Sequence, residues 1–232
     1  MSLVSVENFK KAKYLYVVYP GATGGNHVCN MISICEGFGP RVKKPNYKEW
    51  MLKKYKRVNY KSKPPKFVNA HVDDSIHHVD RLYEYIDKDY LLNANEKIVI
   101  QGHIFNFWSA IKKGVLKELG NDYVGIILDY PKEGSMAYER INVYGYASPH
   151  RDYTFPLKIE YIDFTVDIAE HNGFHVDTSK LFTENGSHYL RELLRETFDL
   201  ELPPEADEMH EIWFTWMKHV ITPEVVEFWK DQ

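Results

Sequence analysis

Cysteine is nearly absent from this chain. Its two cysteines, Cys29 and Cys35, in 232 residues exclude a disulfide scaffold and show no zinc-ligand spacing. Long apolar runs are missing as well: none approaches the roughly 18–20 residues needed to cross a bilayer. The opening MSLVSVENFKKAK lacks the apolar core and cleavage signal of a secretory leader. There is no internal repeat and no low-complexity segment. Large net charge is also lacking: −4, with an isoelectric point near 6.3, argues against a general nucleic-acid binder. These absences point to a cytoplasmic protein of a reducing compartment that has no membrane partner.

What is present suits a globular domain. Hydrophobic residues make up 44% and charged residues 27%, which leaves enough apolar material for one α/β domain spanning 1–232. Charge is unevenly spread. Arg41–Lys66 holds eleven Lys and Arg against the single acid Glu49, so an acidic chain contains one strongly basic stretch. That pattern suits an anionic ligand or a solvated lysine face. Tyr47, Trp50, Tyr55 and Tyr60 lie among the lysines, where stacking on bases or sugars and plain helix packing are both open. Packing explains Trp50 and Tyr55 more simply.

Three β-branched or aromatic runs predict strands: Tyr14–Tyr19, Lys97–Gln101 and Tyr123–Leu128. Phe67–Val72 and Leu157–Val166 are weaker strand candidates. Helical spacing covers Asn26–Cys35, ended by Gly37, Gly39 and Pro40, and also Asp73–Ile86 and Trp108–Leu119. Further helices are expected through Ile141, over Tyr189–Phe198 and over Met209–His219. Apolar strands alternating with helices predict a three-layer α/β fold, a parallel sheet with helices on both faces and a mostly helical C-terminal part.

The strongest local signal is YVVYPGATGGNHVCNMI: strand, glycine turn, helix. Glycine permits positive φ and close backbone approach. The first amides of a helix lack intrahelical partners and sit at the positive end of its dipole. Thr23, Gly24, Gly25, Asn26 and His27 are therefore the candidate phosphate or sulfate cradle. Neither G-x-x-x-x-G-K-[ST] nor G-x-G-x-x-G occurs, so the usual triphosphatase and dinucleotide chemistries have no motif here.

Gly21–His27 resembles the phosphosulfate-binding turn of the sulfotransferase superfamily, a P-loop-like fold using 3′-phosphoadenylyl sulfate (PAPS). The likeness extends along the chain. Ile98–His103 is similar to that family's strand ending in a lone histidine. Gly125–Pro131 with Lys132–Arg140 is similar in form to its strand, proline turn and helix, R-D-P-x-x-x-x-x-S. Val176–Phe182, a helix to Phe198 and Leu200–Pro203 resemble its late passage. The resemblance implies sulfuryl transfer from PAPS to a hydroxyl or amine of a small-molecule or carbohydrate acceptor, and the basic stretch, lining the acceptor side, would favour an anionic or carbohydrate one. It implies His103 as base and Ser135 and Arg140 as 3′-phosphate contacts. Two positions depart from the pattern: Ala22 and Asp129 stand where the family has cations. The alternatives are a catalytically silent nucleotide- or polyanion-binding module, or another phosphoryl or glycosyl transferase using the same turn.

Other candidates are weaker. His71 is a rival base at a similar strand end. His71, Asp73, Asp74, His77 and His78 could ligate a metal, but such a cluster more simply forms the polar face and cap of a helix. Asn185-Gly186-Ser187 matches a glycosylation sequon with no secretory leader to accompany it. Trp213-Phe214-Thr215-Trp216 reads as core packing of a late helix.

Overall fold

The computed structural model describes residues 6–20, 23–38, 47–56, 97–103, 123–147 and 173–230. Helix α1 (Val6–Lys11) leads into β1 (Tyr14–Tyr19), and α2 (Gly25–Ser33) and α3 (Tyr47–Lys56) follow. Next come β2 (Ile98–His103), β3 (Tyr123–Leu128), α4 (Met136–Ala147) and β4 (Gly173–Val176). The chain then turns helical: α5 (Thr178–Leu181), α6 (Gly186–Phe198), α7 (Glu205–Val220) and α8 (Pro223–Lys230). The expected strands at Phe67–Val72 and Leu157–Val166 and helices at Asp73–Ile86 and Trp108–Leu119 lie outside the described residues.

The sheet is parallel, in the order β2-β1-β3-β4. β1 is central, pairing Tyr19 with His103 on one side and Val18 with Ile127 on the other. All six β1 residues are buried, so both faces of this strand are covered, as its unbroken apolar sequence requires. On one face Leu15, Val17, Tyr19, Val99, Ile126, Leu128 and Val176 join the main core with residues of α2, α6 and α7. Burying each such side chain stabilises the fold by about 1.5–3 kcal/mol.

The expected core role of the late aromatic run holds: Trp213, Phe214 and Trp216 are buried. Tyr55 of the basic stretch is fully buried too, the packing outcome. Lys97 ties the start of β2 to the end of α1. Its ammonium donates to the carbonyl oxygens of Phe9 (2.7 Å), Lys10 (3.1 Å) and Ala12, satisfying last-turn groups that face the negative end of the helix dipole. Burial lowers the pKa of this lysine.

The strand order fixes where a ligand crevice falls. From β1 the chain moves one way to β2, then crosses back over β1 to β3 and continues outward to β4. In such sheets the crevice lies at the carboxyl ends of the strands where this reversal occurs, here β1 and β3. No helix among the described residues is long and apolar enough to cross a membrane.

Candidate functional site

The carboxyl edge gathers most of the sequence-predicted site. Thr23–His27 follow β1, His103 ends β2 beside Tyr19, and Ser135 and Arg140 follow β3. Gly24 is the N-cap of α2 at φ +79°, and the first intrahelical bond runs from the Val28 amide to the Gly24 oxygen at 3.0 Å. The helix amino terminus expected from the glycine turn is therefore present.

Side-chain packing gives the two glycines a further reason to be glycine. A Cβ on Gly25 would fall 2.0 Å from the Tyr19 ring. One on Gly24 would meet Trp213 at 3.1 Å and Phe182 at 3.3 Å. The Tyr19 hydroxyl reaches over the turn and donates to Asn26 Oδ1 at 2.7 Å. Thr23 is buried, and its hydroxyl donates back to the Pro20 oxygen at 2.7 Å.

His27 points its side chain away from the turn into a buried polar chain. Its Nδ1 lies 2.8 Å from the Tyr55 hydroxyl and its Nε2 lies 3.1 Å from His210 Nδ1. His210 Nε2 lies 2.8 Å from the Thr183 oxygen, and Asn30 Nδ2 donates to Tyr55 at 3.3 Å. The proton positions follow from one fixed end. The Thr183 carbonyl can only accept, so His210 carries its proton on Nε2 and, when neutral, accepts on Nδ1. His27 must then donate from Nε2 and accept on Nδ1, so Tyr55 donates to it and accepts from Asn30. The chain runs in one direction, from Asn30 to Thr183.

Burial keeps both rings neutral. It pushes the pKa of His27 well below 6.5, with His210 lowering it further. For His210 burial again dominates, opposed by the Thr183 bond and the charge of Asp207. Asp207 is itself paired with Arg191 at 2.7 Å. Trp213 stacks on His27 at 4.2 Å between ring centres and 10° between planes. Gly186 leaves room for His210, since a Cβ there would come within 2.5 Å of the imidazole. The sequon Asn185-Gly186-Ser187 thus sits at the tight start of α6. Sequence reasoning valued His27 for its amide alone and did not single out His210. The two are 183 residues apart, and only the shared core joins them.

Beyond β3 the expected cations meet protein partners. Ser135 caps α4, accepting from the Tyr138 amide at 3.2 Å and donating to the Lys132 oxygen at 2.6 Å. Arg140 is buried, with its guanidinium 5.7 Å from the Trp216 ring centre. Lys132 pairs with Asp177 at 2.7 Å. Burial pushes the Asp177 pKa up, but the Lys132 bond and charge and the Ser179 and Lys180 amides outweigh it and hold it below the usual carboxylate value. Asp129, which departs from the family pattern, lies 2.5 Å from His175 Nδ1. His71, Asp73, Asp74, His77 and His78 lie outside the described residues.

Comparison with known proteins found no match to this chain, whether among family models, curated proteins or solved structures.

Proposed function

We propose that this chain is a sulfotransferase-like enzyme with a P-loop-like fold, moving a sulfuryl group from PAPS to a hydroxyl or amine. The observation behind this reading is the left-handed Gly24 opening α2 directly after the central strand, beside the reversal point of a parallel sheet. The amides of Gly24, Gly25, Asn26 and His27 hold the 5′-phosphosulfate, while Thr23 and the Tyr19–Asn26 bond set the turn. The nucleotide's 3′ end lies toward Ser135. The acceptor enters from the side of the basic stretch, whose Lys53 is exposed. Sulfuryl transfer needs the acceptor proton removed as oxygen attacks sulfur in line, and His103 is the base that the sequence resemblance implies.

Asn26→Asp tests the cradle with little disturbance. It keeps an acceptor for Tyr19 but puts a negative charge at the helix terminus. Calorimetry should show adenosine 3′,5′-bisphosphate (PAP) bound by the wild type at least tenfold more tightly than by this variant. Equal affinity would place the ligand elsewhere.

A second reading has its own support. Lys132 is engaged by Asp177 and Arg140 is covered by Trp216, so both cations near the 3′-phosphate side already have protein partners. A catalytically silent module binding nucleotides or polyanions fits that arrangement. Binding of a sulfated oligosaccharide without PAP would favour it.

A further inference from the structure

Three ties converge on the first turn of α2, and α7 supplies all of them. Trp213 closes the space beside Gly24, where a Cβ would come within 3.1 Å of the indole. The same indole stacks on the His27 ring, 4.2 Å between centres. His210 is three residues before Trp213 and so lies on the same side of α7. Its Nδ1 accepts from His27 Nε2 at 3.1 Å, and its Nε2 donates to the Thr183 oxygen at 2.8 Å. One imidazole thus bridges the turn between α5 and α6 to the amino terminus of α2. His27 is the third residue of α2, so its backbone amide belongs to the candidate cradle while its ring is gripped by α7.

We infer that His210 is a positioning residue for the anion cradle, acting through His27 to fix the direction of the first amides of α2. This deepens the sulfotransferase reading and rests on it for the identity of the anion. The role requires a neutral ring, because only the Nδ1 lone pair accepts from His27 while Nε2 donates to Thr183. A proton on Nδ1 sets two N–H groups against each other. Keeping the contact would then demand a simultaneous reversal of the His27, Tyr55 and Asn30 hydrogen bonds. Acid therefore loosens the turn. Burial of the pair opposes protonation, and the charge of Asp207 on α7 favours it at His210. Arg191 of α6 holds Asp207 at 2.7 Å, Tyr55 faces the pair from α3, and Tyr19 of β1 lies on the turn side. The Lys56–Glu208 and Lys218–Glu184 pairs join the same elements at the surface, and α2 itself carries no Asp, Glu, Lys or Arg.

The test joins hydrogen exchange with PAP calorimetry on the full chain. The Val28 amide, bonded to the Gly24 oxygen at 3.0 Å, reports the state of the turn. Between pH 7 and 5 its wild-type protection, corrected for the intrinsic exchange rate, should fall at least tenfold. PAP affinity should fall at least fivefold more than in His210→Gln over the same range. Glutamine offers one acceptor and one donor but takes up no proton there. It should therefore keep PAP affinity within threefold at pH 7 and lose the acid response of Val28. His210→Leu, with no polar atom, should bind PAP at least tenfold more weakly at pH 7. Asp207→Asn removes the charge that favours protonation, so it should shift the acid response to lower pH, and it keeps the test decisive if the glutamine variant does not fold. One pH profile shared by wild type, His210→Gln and Asp207→Asn, or His210→Leu binding PAP like wild type, overturns the positioning role alone. No PAP binding by wild type, with Val28 protection still following His210, defeats the transferase reading and leaves the hold of His210 on the turn standing.

Discussion

Two histidine contacts in this molecule lie in opposite surroundings. His27 and His210 meet in the core at 3.1 Å, 2% and 1% exposed, with every ring nitrogen used. His175 meets Asp129 at the surface and keeps one nitrogen free of protein partners among the described residues. Burial makes the first pair structural. The core disfavours the charged form, so both rings stay neutral and act as fixed links between α2, α3 and α7. The second pair stays open to water, each side chain about two-fifths exposed.

The sharpest way to break this contrast is to delete one member of each pair. His210→Ala should cost about 3 kcal/mol in urea unfolding, because it strands the His27 donor and removes a partner of the Thr183 carbonyl in the core. A loss under 1 kcal/mol would mean that water or a neighbour replaces the imidazole.

Acid should weaken the buried pair next. His27 and His210 both sit below 6.5 when folded, and the unfolded chain takes up their protons near 6.5. Stability should therefore fall as pH drops below about 6.5, by up to about 1.4 kcal/mol per pH unit for each ring. Asp177 and Asp207 act in a lower window. Their folded pKa values are depressed below 3.8, so their contribution persists until pH falls through that range. Unfolding midpoints between pH 7 and 5 that do not move would contradict a neutral relay.

Tyr55→Phe should remove about 1–1.5 kcal/mol, since it deletes the donor to His27 and the acceptor of Asn30 while keeping the ring. The smallest effect belongs to the surface. His175→Ala and Lys132→Ala should each leave the urea midpoint unchanged, because exposed pairs are screened by water. A large loss at either position would mean that the edge is structural and would narrow the contrast.

The strands were legible in proportion to their apolar content. Tyr14–Tyr19 and Tyr123–Leu128 appear at the residues expected, and the second strand runs two residues past Gln101 to His103. Gly173–Val176 was read only through its last residue, because four residues are too few for their alternation to stand out. Helices α1 and α8 were also missed, being only 6 and 8 residues long. The glycine turn was recognised for its backbone freedom. Its second demand, space for Tyr19, Trp213 and Phe182, was invisible because two of those rings come from the far end of the chain. Asp129 read only as an acid where the sulfotransferase pattern has a cation; its partner His175 is 46 residues away on the neighbouring strand.

Local chemistry thus settled the class of this protein: which runs form strands, where glycine opens a helix, and that the sheet alternates with helices. Those outcomes depend on side-chain shape and polarity within a few residues, and composition along the chain encodes them. Tertiary structure alone decided which histidines are sealed and which face water. Burial and dielectric are properties of the assembled core, and identical imidazoles acquire different surroundings only when distant segments close around one of them.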